Sequence, residues 1–286
     1  MLNNAQMYQS KPIDFIERND IKAFLALLRD WMAIFMIAAF SIWINNIFVY
    51  LISVWAIGLF QFAIGEGLVH EATHNNLFQR KIWNEKLEFL YAFPVFRTVA
   101  TYRKHHLPHH NYFGSDKDYI PKYYEMLGLY KPNKNLLFVL FIKPIMGFGV
   151  YLFFEDSYLH MKELDWRPFK SSFKIVLFWF VVVLSFFLSG HIQILLLYWF
   201  VPLLWCYSCY SCWSEVHEHF NTVSGTRSNL NSIINLLTHN TGYHYLHHLY
   251  PTIPWYKLPE SHQVLCPESS DISYGLFDIY RQLSRS

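Results

Sequence analysis

The chain has 286 residues, of which 53% are apolar, 20% aromatic and only 15% charged. A soluble domain carries about 25% charged residues, so too few are present here to clothe a water-facing surface of this size. The net charge of +2 points to neither a nucleic acid nor an acidic partner, and four cysteines, three of them within one apolar run, do not form a secreted disulfide framework.

Residues 1–30 are polar and mixed in charge. No basic stretch followed by a short apolar core and a cleavage site begins the chain, so a cleaved signal is not expected and the N-terminus is placed in the cytosol. Two apolar segments follow, 31–44 and 47–64, turning at Asn45-Asn46. The first is short for the ~20 residues that cross a bilayer unless it begins at Phe24. A second pair, 173–188 and 192–213, turns at Ser189-Gly190-His191. All 23 Lys and Arg residues lie outside those two tips, which puts both termini and the middle region in the cytoplasm. A fifth apolar stretch, 136–154, is interrupted by Lys143-Pro144, Gly147 and Gly149, and is read as an interfacial or re-entrant helix. The expected architecture is therefore all-α: a single membrane domain over residues 1–286, with four spans in two hairpins and a cytosolic helical cap. Cys206, Cys209 and Cys212 recur every third residue on the last span, where small residues packing at a helix interface explain them better than a metal cluster.

Histidine carries most of the chemical information. There are 15, and four clusters fall on the cytosolic side of the spans. His70 and His74, four apart, share a helical face. His106, His109 and His110 have the spacing H-x-x-H-H, with His105 beside them. Glu215, His217 and His219 follow the last span, with His219 favoured over His217 because Glu215 and His219 share a face. His244, His247 and His248 repeat H-x-x-H-H, preceded by His239. Imidazole suits Fe, Zn, Cu and Ni alike. The number of candidates is more telling: eight or nine histidines exceed what one metal can hold and fit two.

Three other chemistries compete. His70-Glu71-x-x-His74 also spells the zinc metalloprotease motif H-E-x-x-H, but that reading leaves the other three clusters idle. A soluble di-iron carboxylate bundle needs a second E-x-x-H motif, and none is found. A metal transporter predicts ionisable groups inside the spans, and these spans are nearly free of them, Glu66 apart.

Taken together, the boxes His70/His74, His106/His109/His110 and His244/His247/His248 resemble the membrane fatty acid desaturase superfamily, which also includes acyl hydroxylases and carotenoid ketolases. The stretch from Gly242 to Pro251 is similar to the family's last box, and Asp116 and Asp118 to an acidic pair after the second. The resemblance implies a centre of two iron ions using O2 to take hydrogen from an unactivated C–H bond of an acyl chain or related lipid. It makes ligands of His70, His74, His106, His109, His110, His219, His244, His247 and His248. His105, Glu215, His217 and His239 are lesser candidates. Glu215 stands where some members have a water-bridged Asn. Asp116, Asp118, Glu71 and Glu218 are candidates to orient the imidazoles, and Tyr102 and Tyr245 lie close to boxes. No nicotinamide, flavin or haem motif is present, so electrons are expected from a ferredoxin or cytochrome b5 type donor. The location implied is the inner membrane of a bacterium or the endoplasmic reticulum of a eukaryote.

Overall fold

The structure, a computed structural model, describes residues 11–115, 117–162, 168–266 and 271–284, with 156–162 and 168–172 described by backbone alone. It is mostly helical. Helix α1, Asp20–Ile44, starts where the Asn19 side chain accepts from the Lys22 amide at 3.1 Å. It stops at Asn45, whose left-handed backbone (φ 49°) ends the ladder, and Asn46 caps the next helix by accepting from the Phe48 amide at 2.9 Å. That helix, α2, runs Ile47–Thr73 and contains a π turn at Ala63–Leu68 just before His70. Helices α3 (Val99–Tyr112) and α4 (Ile120–Leu127) follow. Then come α5 (Phe138–Glu155), α6 (Pro168–Leu188) and α7 (Ile192–His219). The remaining part holds short helices, α8 (Ser232–Leu237), α9 (His244–Leu249), α10 (Leu258–Leu265) and α11 (Leu276–Leu283). Strands β1 (Ser228–Asn229) and β2 (Ile272–Ser273) pair in parallel and tie the tail to the segment after α7.

Among the described residues four helices are long and apolar enough to cross a membrane: α1, α2, α5 and α7. The number matches the expected four, but the set differs. α5 joins it, whereas α6 offers a shorter described apolar stretch, Phe173–Leu188. α5 is bent at Gly147 (φ 103°), within the stretch where the sequence placed interruptions. Its Lys143 ammonium donates to the Met126 and Leu127 carbonyls at 3.1 and 2.7 Å, so a charge in an apolar run is satisfied by the end of α4. α1 begins well before residue 31 because its charges are neutralised inside the protein. Arg29 pairs with Asp30 at 2.6 Å, and the Asp30 side chain is fully buried.

α2 and α7 pack closely at the core. A Cβ on Gly58 would lie 2.4 Å from the Cys206 Cβ, so only glycine permits this approach. Cys206, Cys209 and Cys212 are buried and free. Beyond α7 the chain is pinned by Arg227, itself fully buried. Its guanidinium donates to the carbonyls of His217, Phe220 and Asn221 at 2.5, 3.2 and 3.0 Å, which closes the C-terminal end of the helix that carries His219.

Candidate metal centre and its cavity

The end of α2, the length of α3, the end of α7 and all of α9 converge. Five histidines, His70, His74, His106, His110 and His247, form one group, and four, His109, His219, His244 and His248, form another; within each, one nitrogen per ring lies within 4.8 Å of all the others. The division follows helix geometry. At about 100° per residue, positions i and i+4 stay on one face while i+3 turns away. His106 and His110 therefore serve one group and His109 the other; His244 and His248 serve one and His247 the other. The groups are neighbours, since the His110 and His248 rings stack at 4.1 Å.

Within each group the Nε2 atoms face one another. His106 Nε2 lies 3.0 Å from that of His74 and 2.9 Å from that of His110, and His247 and His110 approach to 3.3 Å. In the second group His244 Nε2 is 2.9 Å from His219 and 3.1 Å from His248. One Nε2 holds a single proton or a single lone pair, so it cannot satisfy two such contacts as ordinary hydrogen bonds. Two nitrogens each about 2.1 Å from one ion, at right angles, stand about 3.0 Å apart. The spacing fits a shared cation. Burial, reinforced by the neighbouring imidazoles, holds His74, His106 and His247 well below the usual histidine range and lowers His110 to about 3. Burial and the facing rings do the same to His244 and His248. All six are neutral near pH 7, the form that binds metal.

Asp118 orients one ligand candidate. Its Oδ1 lies 3.2 Å from His109 Nδ1, while the Gly114 and Ile120 amides donate to its two oxygens at 2.8 and 3.3 Å. A carboxylate accepting from Nδ1–H leaves the lone pair on Nε2. His219 is turned similarly by the Gly225 carbonyl, 3.3 Å from Nδ1.

A cavity of about 620 Å³ opens beside the two groups, lined by His70, His106, His109, His244 and His247 on one side and by Phe153, Val176, Phe200 and Leu204 on another. This is the size of a pocket that encloses a small or chain-like ligand. Between those walls Glu66 accepts from Arg97, Tyr102 and Tyr207 at 2.8, 2.9 and 2.8 Å.

Residues 45–277 match the model of the fatty acid desaturase family. The chain belongs to that family. It is 27% identical to the dihydrorhizobitoxine desaturase of Bradyrhizobium elkanii over 237 residues, 75% of this chain and 67% of that protein. It is 24% identical to the sphingolipid delta(4)-desaturase DES1 of Bos taurus over 198 residues, 67% of this chain and 58% of that protein. Family and relatives support a desaturase-type oxidoreductase.

The lesser candidates of this desaturase-family chain lie outside both groups. His105 lines the cavity. The main chain of His217 accepts from Arg227, and its Nε2 is buried without a hydrogen-bond partner among the described residues. Glu215 accepts from the Tyr119 hydroxyl at 2.8 Å. His239 is paired with Asp30 at 2.6 Å. Glu71, the would-be base of a protease, accepts from the Trp255 amide at 3.1 Å. Glu218 accepts from Ser214 at 2.7 Å and lies 3.7 Å from His244 Nε2. Tyr102 donates to Glu66 rather than to an imidazole, and Asp116 lies outside the described residues. Asp30 and Arg97 carried no sequence signal, because each meets its partner only through long-range folding.

Proposed function

We propose that this chain is an O2-dependent di-iron desaturase that introduces a double bond into an acyl chain or related lipid held in the cavity. The observation that carries the reading is the convergence of nine histidines into two adjacent all-nitrogen groups, each with its ring nitrogens within 4.8 Å of one another and with five facing Nε2 pairs between 2.9 and 3.3 Å. In this reading His70, His74, His106, His110 and His247 hold one iron and His109, His219, His244 and His248 the other. Two bound irons supply the activation of O2 needed to take hydrogen from an unactivated C–H bond. The protein orients the ligands, Asp118 through His109, and the walls around Phe153, Phe200 and Leu204 keep water from the chain being oxidised. Four further histidines grouped with His70 and a Glu71 engaged by a backbone amide favour this over zinc proteolysis.

The proposed topology places α1–α2 and α6–α7 as two hairpins turning at Asn45-Asn46 and Gly190. α5 dips into the interface about its Gly147 bend, and the histidine centre and both termini face the cytoplasm. The left-handed backbone at Asn45 and Gly190 (φ 49° and 75°) supports the two turns, and the absence of Lys and Arg from both tips supports the orientation. The membrane is the inner membrane in a bacterium or the endoplasmic reticulum in a eukaryote. Electrons come from a separate carrier of ferredoxin or cytochrome b5 type.

Mass spectrometry of lipids from cells expressing the chain, beside cells expressing His247→Ala, tests the reaction. Loss of two hydrogens from a lipid only with the unaltered chain is expected. Gain of one oxygen instead means hydroxylation by the same centre, and identical lipids in both cultures refute the proposal.

A further inference from the structure

One wall of the cavity is charged although the wall around Phe153, Phe200 and Leu204 is apolar. Glu66 and Arg97 both line the cavity, with Tyr102 and Ser211 beside them. The Glu66 carboxylate is paired with the Arg97 guanidinium at 2.8 Å. Glu66 stands within the π turn Ala63–Leu68, a feature that re-aims side chains and recurs at functional sites. The turn is shaped for this contact: a Cβ on Gly65 would lie 2.6 Å from Tyr207 Oη, so glycine there lets that hydroxyl reach Glu66. Donors are shared unevenly between the two carboxylate oxygens. Oε1 accepts from Arg97, Tyr207 and Ser211 at 2.8, 2.8 and 3.2 Å, and Oε2 from Tyr102 alone at 2.9 Å. Each oxygen has about two lone-pair positions, so Oε2 keeps one open among the described residues. The group is also reachable. Glu66 keeps 18% of its side-chain surface, whereas Asp30 and Asp118, held wholly inside the protein, keep none. Arg97, Tyr102 on α3, and Tyr207 and Ser211 on α7 cover its other sides, so the open surface of Glu66 is cavity wall.

We propose that Glu66 Oε2 receives a hydrogen-bond donor of the substrate, so that the molecule oxidised is a lipid with a hydroxyl or amide N–H a few bonds from the reacting C–H. Tyr102, the donor that shares Oε2, has its ring 5.3 Å from His106 and 6.4 Å from His70, two candidate ligands of one iron. A chain anchored at Glu66 therefore presents a carbon close to its polar end to that metal group. Its apolar remainder has Phe153, Phe200 and Leu204 to lie against. Arg97 already opposes the charge of Glu66, so the carboxylate calls for a donor rather than a counter-ion. A free fatty acid would bring its own carboxylate up to Glu66 as a like charge. A bare methylene chain would cover Oε2 and leave its open position unsatisfied away from water. The inference deepens the desaturase reading and rests on it for what becomes of the bound lipid, though not for the binding itself.

The test uses the full-length, iron-loaded protein in lipid nanodiscs and three radiolabelled probes of one chain length: methyl stearate, its β-hydroxy derivative and N-methylstearamide. Dissociation constants are measured against protein-free discs as the blank. The wild type is expected to bind the hydroxy ester, the amide or both about 10-fold or more tighter than methyl stearate, the effect of one hydrogen bond to a charged acceptor. The tighter of the two tells a hydroxyl from an N–H. Glu66→Gln keeps a carbonyl for Arg97 and Tyr207 but puts an NH2 donor in place of Oε2, and is expected to bind all three probes alike. Tyr102→Phe keeps the Oε2 acceptor and is expected to keep the preference. Equal affinities in the wild type overturn the proposal, as does a preference that persists in Glu66→Gln or disappears in Tyr102→Phe. Should Glu66→Gln bind none of the probes, the wild-type and Tyr102→Phe preferences decide. A wild type that shows the preference yet holds no iron and oxidises no probe refutes the desaturase reading and leaves the recognition standing.

Discussion

Asp118→Asn separates the two metal positions. Asp118 is fully buried and contacts one ligand candidate, His109, through Oδ1 at 3.2 Å. An Asn carbonyl at that position still serves His109 Nδ1 and the Ile120 amide. The new NH2 group, however, faces the Gly114 amide, a donor against a donor, where Oδ2 accepted at 2.8 Å. The charge behind His109 also disappears, and with it part of the imidazole's basicity. Losing such a partner weakens metal binding by about 10- to 100-fold, about 1.4 to 2.7 kcal/mol. The loss should fall on the group of His109, His219, His244 and His248 and spare the other. Anaerobic titration of the iron-free protein with Fe2+ against a competing chelator reads this directly: one of two binding steps weakens and the other holds. Two unchanged steps, or two equally weakened ones, would refute the assignment of Asp118 to one ion.

Other perturbations test the supporting structure. Arg227→Met leaves three carbonyls in and just past the last turn of α7 without their donor, so the unfolding midpoint should drop by the equivalent of about 3 kcal/mol or more and His219 should lose its position; an unchanged midpoint contradicts that role. Gly58→Leu forces side-chain atoms into the Cys206 contact and should destabilise the membrane-embedded protein by about 1 to 3 kcal/mol, measured by unfolding in detergent. The iron-free protein should also be acid-sensitive. The unfolded chain takes up protons on its histidines near pH 6.5, whereas the folded state resists, His110 until about pH 3. Stability is therefore full above about pH 6.5 and is lost progressively as pH falls towards 3. A midpoint that stays constant from pH 7 to pH 4 would show that the folded histidines titrate normally.

The histidine boxes were legible because ligands four apart on a helix announce a common target. The split of each H-x-x-H-H box between two groups was not drawn from that spacing, although the i+3 member must turn away from the i, i+4 pair. His219 joined His109 and His248 only once α7 met α3 and α9. The early start of α1 was hidden because Arg29 and Asp30 read as a membrane boundary, whereas Arg29 and a histidine some two hundred residues away together hold the buried carboxylate. Local sequence carries no record of that pairing. Bounds that depend on tips, such as Asn45-Asn46, were read correctly because a left-handed Asn followed by a capping Asn is a local signal. The bend of α5 at Gly147 was visible as an interruption, but its length as a possible span was not, because Lys143 finds its partners on α4.

The most direct measurement is the metal content of purified, active protein, by elemental mass spectrometry against protein concentration. Two irons per chain are predicted, falling when His247 or His248, neighbours in sequence but assigned to different ions, is replaced by Ala. One metal per chain, or zinc in place of iron, in protein that still modifies lipid would contradict the di-iron account.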